Sequence, residues 1–255
     1  MLPRFGETRR ALKMIAQRIS DTRPHTIVIA SPHNLRLWKK IGVVMTENSS
    51  GVLEGSSKKS VSLNARCDKD FAQKIVRESE EERLPVVGAN YGTAKGPASD
   101  MKMDWGTLVP LWFVLHGRRI AAKIVIVTPS REIPLRINYR FGQLLGRLMQ
   151  RDSRRRCVFI ASADQAHAHS RSGPYGFSAS ASKYDEIMLD KIAGNELKDI
   201  LRLDPAFVER AKPDSLWQMT ILAGITDSVP SEARLLSYQV PTYYGMACAE
   251  FEPVR

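Results

Sequence analysis

Thr26 to His33 reads TIVIASPH. Its first part, TIVIA, is an unbroken run of β-branched and small apolar residues, too short for the core of a helix. A strand buried on both faces of a parallel or mixed sheet has this composition. Ser-Pro-His then breaks the run with a turn signal and a polar side chain. Two later segments repeat the pattern, AAKIVIV from Ala121 to Val127 and CVFIAS from Cys157 to Ser162. IGVVM, from Ile41 to Met45, reads as a further strand, and Val61 to Ala65 alternates as a half-buried one would.

Helical patterns separate these strands. Ala11, Leu12, Ile15, Ala16 and Ile19 recur at helical spacing, with Thr8 as the expected cap. Asp70 to Glu82 places Phe71, Ile75 and Val76 on one face, and its acidic run at Glu80 to Glu82 on solvent. Ile137 to Arg151 turns Phe141, Leu144, Leu145 and Leu148 inward. Tyr184 to Ile200 reads as one or two helices, and Leu216 to Ile225 as a buried one. LVPLWFVL, from Leu108 to Leu115, suits either strand or helix. Gly88 to Asp104, rich in Gly, Ala, Ser and Lys, reads as a long loop. Leu235 to Val240 and Gly245 to Phe251 close the chain as strands. Alternating strands and helices, with no linker or repeat, predict one three-layer α/β/α domain over residues 1–255 around a mixed central sheet.

Composition narrows the function classes. The chain has 255 residues, 43% hydrophobic and 25% charged, which is globular and not disordered, collagenous or disulfide-rich. No apolar run is long enough to span a membrane, and the first residues lack a signal-peptide core. Cys67, Cys157 and Cys248 are few and far apart, as in a reduced, cytoplasmic protein. The net charge of +11 raises nucleic acid as a partner. The basic residues are dispersed, however, apart from Arg151 and Arg154 to Arg156, and lack interleaved aromatics; nucleic-acid binding is not expected.

Open α/β sheets bind ligands beyond the carboxyl ends of their strands. His33 follows one strand there, and Asp164, His167 and His169 follow another. Histidines at such a mouth are candidate metal ligands or general bases. Their plainer reading is loop histidines bonded to backbone. His25 and His116 read as surface residues. HExxH, GxSxG, P-loop, GxGxxG and CxxC patterns are all missing, so hydrolase, P-loop and dinucleotide readings have no motif behind them.

Taken in order, five stretches resemble the class III extradiol ring-cleavage dioxygenases of LigB type. They are TIVIASPHNLRL (Thr26 to Leu37), MDWGTLVPLWFV (Met103 to Val114), VFIASADQAHAHSRSGPYGF (Val158 to Phe177), AKPDSLWQMTILAGI (Ala211 to Ile225) and SYQVPTYYGMACAEFEP (Ser237 to Pro253). The block around Asp164, His167 and GPYGF is the most specific. The resemblance implies Fe(II) held by two histidines and a carboxylate, with open positions for a catechol-type aromatic substrate and O₂. It implies that His33 and Asp214 bind the metal and that His167 is the acid/base. A homo-oligomer is expected on the same ground.

Three departures qualify this expectation. FGETRRALK, from Phe5 to Lys13, matches the helix after the family's first strand, so that strand's metal histidine is not expected among these residues. The family more often has Glu where Asp214 stands. Asp104-Trp105-Gly106 replaces the Asp-His-Gly of many relatives. Trp105 cannot accept a proton, although its ring can stack on an aromatic substrate. His169 is a candidate outer partner that would orient His167 or a metal ligand, and Tyr175 a candidate pocket-lining residue. The alternative is a non-catalytic, Memo-like binding protein of the same fold with a degenerate metal site.

Overall fold

The computed structural model describes residues 5–55, 60–118, 120–151 and 153–254. Its centre is a five-stranded sheet in the order β5-β2-β7-β1-β8. The strands are β1 (Thr26–Ala30), β2 (Ile41–Val44), β5 (Val86–Ala89), β7 (Lys123–Thr128) and β8 (Cys157–Ala161). β1 runs parallel to β7 and β8, with Ala30 level with Val127 and Ala161. β2 is parallel to β5 but antiparallel to β7, so the sheet is mixed. Every residue of β1 is buried, as its unbroken apolar run predicts.

Alternate residues of the central strands feed two cores. On one face Val28, Ala30, Val43, Val125 and Val127 pack with three helices, α2 (Lys69–Glu81), α4 (Leu135–Arg151) and α7 (Leu216–Ser228). On the other, Ile27, Ile29, Ile124 and Ile126 meet α1 (Gly6–Thr22) and α3 (Trp105–Leu115). The architecture is therefore the expected three-layer α/β/α arrangement. A third core joins α7 to α5 (Ala179–Ala193), a 3-10 segment at Leu197–Arg202 and α6 (Pro205–Ala211).

The structure corrects several expectations. Thr8 is buried inside α1 and is not its cap. LVPLWFVL, which suited either strand or helix, is helical: Asp104 accepts the amide of Thr107 and starts α3. The stretch read as a loop from Gly88 to Asp104 carries β6 (Asp100–Lys102) and the end of β5. With β3 (Asn48–Glu54) and β4 (Ser60–Arg66), β6 forms a separate sheet in the order β4-β3-β6. The hairpin of β9 (Ser231–Gln239) and β10 (Met246–Pro253) closes the chain. Among the described residues no helix is long and apolar enough to cross a membrane.

Candidate metal centre

Three adjacent parallel strands, β7, β1 and β8, end on the same side of the sheet. Their loops deliver Arg131, His33 and Asp164 to that edge. The β8 loop is then stitched to the segment before α7. Ala166 bridges Pro213, and the His167 amide donates to the carbonyls of Ala211 and Lys212. Ser215, which follows Asp214, is fully buried and its hydroxyl lies 2.9 Å from that of Tyr184. Asp214 is fixed beside Asp164 by these contacts.

His33, Asp164 and Asp214 each turn one donor atom to a common point, all within 4.8 Å of one another. Nε2 of His33 stands 3.2 Å from Oδ2 of Asp214. It is nonetheless buried without a hydrogen-bond partner. An orphaned imidazole nitrogen facing two carboxylates fits a divalent cation. One nitrogen and two oxygen donors form a harder set than the expected two histidines and one carboxylate. His33 and Asp214, both expected as ligands, are thus brought together. Asp164, which the sequence reading left without a metal role, is the third member.

The His33 loop is held by α3. Ser31 donates to Asp104 Oδ1 at 2.7 Å and Asn34 to Oδ2 at 3.1 Å. Asp104 also accepts the amide and the hydroxyl of Thr107. Gly106 permits this approach: a Cβ there would lie 2.8 Å from Ser31 Oγ and 3.3 Å from the His33 ring. Trp105 consequently lies on His33, with ring centroids 4.3 Å apart. Its indole is 47% exposed and packs first on the candidate ligand.

His167 is buried, and both ring nitrogens face acceptors. Nδ1 is 3.1 Å from the Lys212 carbonyl and Nε2 is 3.2 Å from Asp164 Oδ2. Burial pulls its pKa down, but the Asp164 carboxylate and then the Asp214 charge outweigh that and raise it above the ordinary histidine value. Both contacts favour the protonated ring over the neutral one. The expected acid/base, His167, thus sits beside two of the three candidate metal ligands.

Around His167 stand Tyr175, Tyr243 and Tyr244, with centroids 5.5, 5.8 and 5.5 Å away. Tyr175 is 55% exposed and forms the outer wall. Burial, followed by nearby acidic groups, raises the pKa of both Tyr243 and Tyr244, so their phenols stay protonated. His169 is placed elsewhere. Its Nε2 is 2.8 Å from Oδ2 of Asp185, a buried carboxylate that also accepts Tyr238 Oη and the Ala166 amide. It anchors the loop to α5 and β9, in place of the expected contact with His167 or the metal ligands.

Sequence reasoning missed Arg131, Tyr243 and Tyr244 altogether. Arg131 donates to Asp214 Oδ1 at 2.5 Å and lies over the Trp217 ring at 4.5 Å. Its position just beyond a strand end was the available signal. The Tyr-Tyr doublet lies in the last of the family-like stretches, but only the fold brings it to His167.

Comparison with known proteins places the chain in a family and supports its fold. The model of a family described as the catalytic LigB subunit of aromatic ring-opening dioxygenase matches residues 4–248, and the chain belongs to that family. Protein CA_C1420 of Clostridium acetobutylicum is 26% identical over 236 residues, covering 92% of this chain and 50% of that protein. The chain thus spans about half the length of this curated relative. The crystal structure of uncharacterized protein JW3007 from Escherichia coli K12 shares the fold, with a TM-score of 0.61 at 16% identity. That alignment covers 93% of this chain and 90% of the other.

Proposed function

We propose that the chain is a non-heme Fe(II)-dependent dioxygenase of the extradiol type, acting on a catechol-type aromatic substrate with O₂. The observation that carries this reading is the convergence of His33, Asp164 and Asp214 around an orphaned imidazole nitrogen. Fe(II) held there would supply the redox chemistry that joins O₂ to an electron-rich ring. The protein's own residues supply the rest. Trp105 and the tyrosines at 175, 243 and 244 offer flat apolar surfaces that suit an aromatic ring and displace water. His167 holds a proton at Nε2 beside Asp164 and can deliver it to a substrate oxygen. Arg131 fixes one oxygen of Asp214 and leaves the other toward His33.

A second reading is a non-catalytic, Memo-like binding protein of the same fold. A single imidazole in the donor set and Trp105 lying over it favour that reading. Anaerobic Fe(II) loading, desalting and iron analysis test the centre, with a panel of catechols assayed for ring-cleavage products. Near-stoichiometric iron, lost in His33→Ala and Asp214→Asn, together with oxygen-dependent cleavage, is the expected result. Iron retention without turnover on any catechol selects the binding module. No retained iron and no turnover overturn the dioxygenase reading.

A further inference from the structure

We infer that Arg131 is a positioning residue of this centre, selecting which oxygen of Asp214 faces His33. The inference rests on the metal-centre reading above. Asp214 has two chemically equal oxygens, and a free carboxylate would turn between them. Here Oδ1 is taken by the Arg131 guanidinium at 2.5 Å, and Oδ2 is left 3.2 Å from Nε2 of His33. The guanidinium is itself located. Its Cζ lies over the Trp217 ring, 4.5 Å from the centroid, in the first turn of α7.

The backbone at Arg131 is braced on both sides. Ser130 is buried and its carbonyl accepts Nδ2 of the fully buried Asn138 at 2.9 Å. Glu132 is held by Arg36 and by the Ser130 hydroxyl. A residue braced at its backbone and held at its guanidinium by a ring and a carboxylate is restricted in pose. Arg131 thus ties the loop after β7 to the entry of α7, where both Asp214 and Trp217 lie. Outer partners of this kind set ligand orientation, and their loss weakens metal binding.

The test is a Mn(II) titration of the full chain, read by the paramagnetic resonance signal of free Mn(II), with far-UV circular dichroism as the folding control. Arg131→Met is expected to weaken binding about tenfold or more. Trp217→Leu should weaken it less, and should add little in the Arg131→Met background, because it acts through the same guanidinium. Binding by Arg131→Met equal to or tighter than wild type overturns the inference. Tighter binding would mean that the guanidinium merely repels the cation. Equal losses from Trp217→Leu in both backgrounds would overturn it too. Should Arg131→Met lose its fold, Trp217→Leu decides alone, and wild-type affinity there sinks the proposal. A wild-type chain that binds no Mn(II) overturns the centre and this inference together. A wild type that binds beside an unaffected Arg131→Met overturns this inference only.

Discussion

Glu132, the neighbour of Arg131, gives the site a measurable dependence on acid. Burial alone would raise its pKa, but bonds from Arg36 and Ser130 bring it below the ordinary glutamate value. A carboxyl with a depressed folded-state pKa stabilises the fold above its unfolded value and loses that contribution as pH falls through the folded one. Glu132→Gln should therefore be less stable than wild type at neutral pH, with the gap closing below about pH 4.5. The gap should be modest, because Arg36 is largely exposed. Urea midpoints measured across pH check this, and a gap that stays constant or widens in acid contradicts it. At this scale the sequence was partly readable. His33 and Asp164 follow apolar strand runs, so their place at the sheet edge was visible. The bond between Arg131 and Asp214 joins residues 83 positions apart, and no local pattern encodes it.

Helix packing against the sheet decides whether the edge residues meet at all. α4 and α7 touch through their backbones. A Cβ on Gly142 would lie 2.0 Å from the Ile221 carbonyl oxygen, and one on Gly224 would lie 2.0 Å from that of Tyr139. Neither carbonyl can move without disturbing its own helix. Gly224→Ala should therefore cost about 1–3 kcal/mol or more, the range for overpacking a filled core. It should also loosen cation binding, because α7 begins just after Asp214. Chemical denaturation checks the first effect; unchanged stability would mean that the helices separate freely. α4 was legible from its apolar periodicity, and α7 from a nearly continuous apolar run too long for a strand. β3 was not read at all, because NSSGVLE opens with polar residues and shows no strand run. α6 was overlooked although Asp204 caps it and Pro205 begins it, a recognisable start. Short β5 and β6 were hidden by the Gly and Ser around them, since pairing across strands, not local propensity, makes them strands.

Over the whole molecule, 38 basic residues against 27 acidic ones leave a charge of +11. Net charge sets long-range attraction, but binding a nucleic-acid backbone needs a face of one sign. Here the signs are interleaved. Arg147 and Arg151 on α4 pair with Glu82 and Glu78 across from α2. Arg155, from the basic cluster ahead of β8, reaches the buried Asp68 and lies over Phe71. On the terminal hairpin Glu250 collects both Arg18 and Arg234. Cations committed to such pairs would have to break them before meeting phosphates. A labelled duplex at about 50 mM salt, where phosphate contacts are strong, should therefore show no rise in anisotropy with this chain. Tight binding that falls steeply as salt is raised would contradict the prediction. It would mean that unpaired cations elsewhere form a continuous patch, and that an anionic polymer is a partner of the fold alongside any small aromatic molecule.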